Sequence, residues 1–304
     1  MESEFVAWLR SQVPSHPQLI LGIGDDAALL SLPSAHCVVT SDMLMDGVDF
    51  VLSECEPRRV GRKALAVNLS DLAAMAAKPV AAIVSIAVPT TMPLEATKAI
   101  YEGLLKLAAE YGLSLAGGDT NTWKHPFAIS VTAIGEPTGR GVLTRHGARA
   151  GDAILVTGDF GGSILRKHFD FRPRVNEARY LHQHYELHAG MDVSDGLSLD
   201  LSRLARESSC GAIIDATSVP IAADAFRLVE HDPHAGSPLD HALGDGEDFE
   251  LILAVSAETA DRIVADQSIA CPVTRIGEFV AEPGLWLRSE TGICQPLTPR
   301  GYEH

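Results

Sequence analysis

Aspartate is the residue with which this chain is equipped to do chemistry. Asp25 and Asp26 stand in GIGDDAALL, Asp42 in VVTSDMLMDGVDF, Asp71 in NLSDLAAMAA, Asp119 in LAGGDTN, and Asp192 with Asp195 in MDVSDGLSLDL, each inside otherwise apolar sequence. They fall where strands should end or helices begin, positions from which side chains converge on a cleft. Two carboxylates ~4 Å apart repel by about 4 kcal/mol even at an effective dielectric of 20, so a convergent set needs cations. Lysine cannot supply them: the chain has six, and none follows a GxxxxGK[ST] phosphate loop. A divalent ion can. Carboxylates with hydroxyls such as Thr40 and Ser41 suit Mg²⁺, which keeps several waters and bridges protein oxygen to substrate phosphate. The expected ligand therefore carries phosphate.

Each acid also has a plainer reading. Gly22-Ile23-Gly24-Asp25-Asp26-Ala27 matches the dinucleotide fingerprint GxGxxA, but its aspartates would face the pyrophosphate, and Pro33 cuts short the helix that should follow. Asp71 shares a helix face with Asn68 in a segment so apolar that both faces should be covered, and an unpartnered buried carboxylate is costly. Asp195 or Ser194 could cap a helix starting near Gly196, whereas Asp192 ends an apolar strand. Asp119 after Gly117-Gly118 could be a turn acid. His182, His184 and His188 have metal-like spacing but read better as a solvated helix face. The glycine-rich Gly158–Ser163 loop, GDFGGS, could hold an anion through its amides, a weak signal taken alone.

The elements that must position these acids follow from patterning. CVVTS, 37–41, reads as a buried strand, and Pro57 opens a long helix to about Ala77. Pro79 and Pro89 bracket an apolar strand, Pro93 starts a helix that stops at Gly112, and strands are expected over 113–116 and 127–135. The charged, glycine-rich stretch 139–151 separates this half from a second α/β half, with strands over 153–157, 191–193, 212–215, 249–255 and 273–276. Domains over 1–138 and 150–304 are expected.

With 304 residues, 46% of them hydrophobic, the chain can bury two full cores. A formal charge of -16 repels nucleic acid. Cys37, Cys55, Cys210, Cys271 and Cys294 form no CxxC pair, which suits reduced, buried thiols of a cytoplasmic protein. The acidic N-terminus lacks a secretory core, the run from Val80 to Val88 is too short to span a bilayer, and no membrane role is expected.

Taken in order, GIGDDAALL, TSDMLMDGVDF, KALAVNLSDLAAMAAKP, LAGGDT, LTRHGARAGD, MDVSDGLSLDL, GEDFELIL and GYEH resemble the thiamine-monophosphate kinase family, of the aminoimidazole ribonucleotide synthetase-like ATP-binding superfamily. The resemblance covers about residue 20 onward. It implies an α/β fold of α+β character in two domains, with the N-terminal sheets of a homodimer pairing into a barrel. It implies magnesium ligands at Asp26, Thr40, Ser41, Asp42, Asp71, Asp119, Asp192 and Asp195, and ATP contacts at Tyr101, Gly118, Asp119, Arg145 and Ser194. Catalysis would rest on Asp42, Asp71, Asp119 and Arg145. Thiamine monophosphate would meet Glu247, Tyr302 and the position of Asp49, where the family usually has histidine. Asp245 stands where the family tends to have glycine, and the segment 160–189 is shorter than usual.

The implied reaction is Mg²⁺-dependent phosphoryl transfer from ATP to a phosphate that needs no general base, consistent with the lack of a Ser-His-Asp or Cys-His set. The alternatives are a sibling ATP-dependent enzyme or a non-catalytic nucleotide-binding homologue. Selenophosphate synthetase needs a reactive cysteine near its start, and the hydrogenase-maturation dehydratase a cysteine tail where this chain has GYEH.

Overall fold

Strands and helices alternate from the start: α1 (Glu2–Gln12), β1 (Leu19–Leu21), β2 (Leu29–Leu30), β3 (Val38–Met45), α2 (Pro57–Ala74), β4 (Lys78–Pro89), α3 (Leu94–Tyr111), β5 (Ser114–Trp123) and β6 (Ala128–Glu136). They belong to a computed structural model that describes residues 2–23, 28–32, 34–232, 234 and 236–302. Asp25 and Asp26 lie outside the described residues. The chain divides into two compact units, residues 1–72 with 77–137 and residues 73–76 with 138–304. Each is a mixed α/β structure.

The first unit is organised by a four-stranded sheet in the order β3-β6-β4-β5. β4 and β5 run parallel, joined by the crossover helix α3, and the other pairs are antiparallel. Alternation along β4 buries Val84, Ile86 and Val88 and leaves Ile83 and Ser85 exposed, so one face of the sheet is covered and one is open. The helices contribute Leu65, Leu69, Leu72, Ile100, Leu104 and Leu107, all buried. α2 and α3 pack backbone to backbone: a Cβ on Gly61 would lie 1.7 Å from the Ile100 carbonyl oxygen, and one on Gly103 would lie 1.9 Å from that of Arg58. α3 starts after Pro93 and stops at Gly112, whose φ of 64° gives the left-handed cap its sequence predicts.

Two strands run further than their apolar cores suggest. β3 continues through Asp42 to Met45, and GGDT lies inside β5, so Asp119 is a strand residue and not a turn acid. The expectation that the acids sit at strand ends or helix starts fails for Asp42, Asp119 and Asp71, which lies well inside α2. Pairing with β6 and β4 extends these polar segments against their weak intrinsic preference.

The second unit comprises β7 (Ala153–Thr157), α4 (Lys167–Asp170), α5 (Val175–His184), β8 (Ala189–Asp192), α6 (Leu197–Glu207), β9 (Gly211–Asp215), α7 (Ala223–His231), α8 (Pro238–Gly244), β10 (Leu251–Val255), α9 (Ala257–Asp266), β11 (Val273–Val280), β12 (Leu285–Arg288) and β13 (Cys294–Pro296). Its sheet has the order β13-β12-β9-β11-β7-β10-β8. β7 and β10, buried along their whole length, form its centre. The core gathers Ile154, Val156, Phe160, Leu201, Leu204, Ile252 and Phe279. Of the cysteines only Cys210 and Cys271 are buried; Cys55 is half-buried, and Cys37 and Cys294 are exposed, against the expectation of five packed thiols. No described helix is long and apolar enough to cross a membrane.

Gly61→Ala should lower stability to urea by about 2 kcal/mol or more, because backbone and not a flexible side chain stands in the way. Gly117→Ala, with no described residue within 4 Å of its Cβ, should cost less than half as much. Equal losses would contradict the helix-crossing explanation.

Candidate active site

In the first unit, β3 alternation decides which side chains can meet. Val38 and Leu44 are buried, Val39 and Met43 exposed, and Thr40 and Asp42 therefore face the covered side. There Thr40 Oγ1 donates a hydrogen bond to Asp71 Oδ2, tying the strand to α2. Asp42 Oδ2 is buried and has no hydrogen-bond partner among the described residues. Burial, reinforced by the charges of Asp71 and Asp49, pushes the Asp42 carboxyl up to about 7. Ser41, between Thr40 and Asp42, faces the open side, where its hydroxyl lies 2.9 Å from Thr132 Oγ1. The structure thus brings Thr40, Asp42 and Asp71 together and leaves the Ser41 hydroxyl out.

Asp49 is engaged locally. Its carboxylate accepts the Met45 N–H at 2.7 Å, closing the turn after β3, while Lys63 Nζ donates to the Asp49 carbonyl at 2.8 Å. Lys63 is 0% exposed, a buried cation that the sequence reading passed over. A lone lysine at the start of an apolar helix reads as a snorkelling surface residue, yet the same apolar context that flagged Asp71 surrounds Lys63.

On β5, Gly118 pairs with Val84 and Asp119 with Ser85. A Cβ on Gly118 would lie 1.8 Å from the Val84 carbonyl oxygen, so only glycine fits there. Asp119 is exposed. Tyr101 is 2% exposed, with Phe5 of α1 edge-on to its ring at 4.9 Å. Burial, with Asp119 adding, pushes the Tyr101 phenol up. α1 thus covers a residue expected to touch ATP.

The second unit gathers residues far apart in sequence by backbone stitching. Glu247 N–H donates to the Ser194 carbonyl at 2.6 Å, and Tyr302 N–H donates to the Asp195 carbonyl at 2.9 Å. Ser198 Oγ bonds the backbone of Arg300 at 3.0 Å and 2.9 Å. Ser194, Asp195, Glu247 and Tyr302 therefore share one neighbourhood, with Tyr302 53% exposed. Asp192 ends β8 and is buried. The Asp195 carboxylate does not cap α6; Arg203 Nη1 bridges it to Asp200, whose Oδ2 accepts the Asp195 N–H at 2.9 Å. Burial pushes the Asp200 carboxyl up to about 6. Arg145 is exposed, on a loop anchored where Ser208 Oγ donates to its carbonyl at 2.8 Å.

Two glycine-loop and histidine readings change. The amides of Gly161 and Gly162 do bind anions, but the anions are the chain's own Asp248, at 3.0 Å, and Asp245, at 2.7 Å. His182 is buried and not on a solvated face, and burial lowers its pKa. His188 lies outside α5 with Nδ1 2.8 Å from Asp152. A buried ion network was also missed. Arg174 grips Glu250 in two-pronged fashion at 2.7 Å and 2.8 Å, and although burial raises the Glu250 carboxyl, these contacts hold it below its ordinary range. Burial pushes Asp248 up to about 7 against the pull of Lys167. Nothing in GEDFELIL separates a buried acid with partners from an exposed one.

Among the described residues, no three of His, Cys, Asp or Glu gather as a metal cage. The chemistry of the Asp42–Asp71 pair nevertheless fits Mg²⁺. An orphaned, desolvated carboxylate oxygen beside a second carboxylate and a hydroxyl suits an ion that keeps most of its waters and takes further oxygens from a phosphate.

Comparison with known proteins finds relatives over the whole chain. The model of the AIR synthase related protein N-terminal domain matches residues 24–136, and that of the C-terminal domain matches 145–288. The thiamine-monophosphate kinase of Rhodopirellula baltica is 41% identical over 315 aligned positions, covering 100% of this chain and 97% of that protein. The crystal structure of thiamine-monophosphate kinase from Stenotrophomonas maltophilia superposes with a TM-score of 0.80 at 33% identity, over 92% of this chain and 94% of that one. AaThiL complexed with AMPPCP and TMP gives a TM-score of 0.78 at 27% identity, over 93% and 91%.

With Asp42 titrating at about 7, metal-free protein at pH 7 carries it about half protonated, and a cation must displace that proton. Calorimetry in buffers of different ionisation enthalpy should show about half a proton released per Mg²⁺ near pH 7 and about none near pH 8.5. Asp42→Asn should release none. Equal release at both pH values would exclude Asp42 as the displaced site.

Proposed function

The chain belongs to the thiamine-monophosphate kinase family of the AIR synthase related proteins, and from that premise we propose that it transfers the γ-phosphoryl group of ATP to thiamine monophosphate, giving thiamine diphosphate and ADP. One observation carries the reading beyond similarity: the Asp42 oxygen, buried next to Asp71 and without a hydrogen bond from any described residue, in a chain whose site residues offer hard oxygen donors. Such a group suits a cation brought with polyphosphate.

In this reading Asp42 and Asp71, with Thr40 orienting Asp71, hold Mg²⁺, and Asp26, Asp119, Asp192 and Asp195 are further ligands. Asp195 would share its carboxylate with Arg203. Bound Mg²⁺ supplies positive charge that neutralises polyphosphate oxygens as bonds change. Tyr101, Gly118, Arg145 and Ser194 are assigned to ATP. The use of Tyr101 requires Phe5 to move or the contact to pass through its hydroxyl edge. Glu247 and Tyr302 are assigned to the acceptor, the carboxylate suiting a cationic thiazolium and the half-exposed ring able to stack on it. Asp49 is assigned to the acceptor as well, with its Oδ2 also accepting the Met45 N–H.

The chemical step needs little from the protein. A terminal oxygen of the acceptor phosphate forms a bond to the γ-phosphorus while the bond from that phosphorus to the β–γ bridging oxygen breaks, and the electron pair leaves with ADP. An alkyl phosphate has its second pKa near ~6, so the nucleophile is already mostly dianionic at neutral pH and no base is required. Arg145 adds one fixed positive charge. The reaction draws on cytoplasmic ATP.

A homodimer closed through the first unit's sheet belongs to the same reading. The open face presents Val39 at 57% exposure and Met43 at 61%, with Met45, Ile83 and Trp123 also exposed. A second copy laid on this face would hide that apolar patch, and pairing edge strands would make an eight-stranded barrel from two four-stranded sheets.

Purified protein with ATP, MgCl₂ and thiamine monophosphate should form thiamine diphosphate, and Asp71→Asn should lose at least about 100-fold in kcat while keeping its far-UV circular dichroism. ATP binding without product would remove the named acceptor, and a wild-type rate in Asp71→Asn would make Asp71 structural. By light scattering, wild type should be dimeric and Met43→Asp monomeric. A monomeric wild type would exclude the barrel.

A further inference from the structure

In the second unit, the segment from Asp159 to Phe171 and the segment from Asp245 to Glu250 are joined by backbone amides, ion pairs and a ring stack. Gly162 N–H donates to Asp245 Oδ2 at 2.7 Å, and Gly161 N–H donates to Asp248 at 3.0 Å. Ser163 Oγ donates to the Gly246 carbonyl at 2.5 Å. Further along, Lys167 Nζ lies 3.2 Å from Glu250 and 3.6 Å from Asp248, His168 Nδ1 lies 3.4 Å from Glu247 Oε2, and Phe171 stacks on Phe249 at 4.0 Å. His241 of α8 fixes Asp245 from its other side, with Nδ1 3.0 Å from Oδ1.

The join imposes an unusual backbone. Glu247 and Phe249 adopt φ of +63° and +51°, left-handed conformations that non-glycine residues seldom hold unless their surroundings over-determine them. Phe249 is fixed by its stack, and Asp248 and Glu250 are buried in their ion network. Glu247 is the less buried member, held from behind by its N–H on Ser194 and flanked by the Asp245–Gly162 and Ser163–Gly246 bonds. Asp245 differs from Asp248 and Glu250 in kind, because it is half-buried and joins two loops and a helix without belonging to the core network.

We propose that Asp245 is a positioning residue for the acceptor site: by latching the Gly161–Ser163 loop to the Asp245–Asp248 segment, it holds Glu247 in its left-handed conformation and so sets the carboxylate that meets the acceptor's cationic ring. The proposal rests on the assignment of Glu247 to the acceptor. It separates Asp245 from the phosphate chemistry, so its loss should weaken acceptor binding and leave nucleotide handling alone.

The test is steady-state kinetics with each substrate varied in turn. Asp245→Ala should raise KM for thiamine monophosphate about tenfold, with kcat and KM for ATP within about twofold of wild type. Asp245→Asn, which keeps an oxygen to accept the Gly162 N–H, should recover most of that loss. Ser163→Ala should move the same KM in the same direction by about threefold, and serves if Asp245→Ala fails to fold. Glu247→Ala separates the two layers. If it raises the acceptor KM while Asp245→Ala and Ser163→Ala do not, the latch is wrong and the assignment of Glu247 stands. If Glu247→Ala leaves that KM unchanged, the assignment falls and the proposal with it. A parallel rise in both substrates' KM on Asp245→Ala would also overturn it.

Discussion

A carboxylate oxygen removed from water must be protonated, hydrogen-bonded or coordinated, and half-buried Asp42 holds one such oxygen that no described residue hydrogen-bonds. The side chain sits on the covered face of a sheet, in a strand paired along its length with β6, and cannot swing out to solvent without breaking the register. Asp71 and Asp49 add negative charge rather than relief. Thr40 donates its hydroxyl to Asp71 and not to Asp42. A protein selected only for stability would replace such a group, because an uncompensated buried charge is among the costliest single features a fold can carry. Its presence makes sense where a cation completes it and where polyphosphate completes the cation.

The second unit solves a different problem, that of gathering segments distant in sequence into one neighbourhood. Backbone hydrogen bonds bring 194–195, 247 and 302 together, and the carboxylates of Asp245 and Asp248 satisfy the amides of a glycine loop that would otherwise attract external anions. Glu250 is neutralised by the fork of Arg174, so the acidic GEDFE block is largely internal wiring. Asp195 lies between these roles, exposed enough to act and yet paired with Arg203.

Much of this was legible in the sequence where local chemistry and tertiary structure agree. Pro93 and Gly112 bound α3 because each fits one backbone conformation. Asp42 and Asp71 stood out because their neighbours are apolar, and burial is what the structure gives Asp42. Two further features are local in the sequence: strand alternation puts Ser41 on the opposite face from Thr40 and Asp42, and Phe5, Trp8 and Leu9 at i, i+3 and i+4 announce the helix that covers Tyr101. Others are not. The length of β3 and β5 is set by partners remote in sequence, the occupancy of the Gly161 and Gly162 amides depends on residues about eighty positions away, and the burial of His182 and Lys63 follows from packing that no local period records.

Thermal unfolding as a function of Mg²⁺ tests the central claim most directly. The Asp42 carboxyl is raised from 3.8 to about 7, so its native-state penalty grows as pH rises from 3.8 to 7 and is fully present above that. At about pH 8, Asp42→Asn should therefore melt roughly 3–8 °C above wild type without metal, while saturating Mg²⁺ should stabilise wild type and leave the variant unmoved. A variant less stable than wild type without metal, and stabilised by Mg²⁺ to the same extent, would contradict the account.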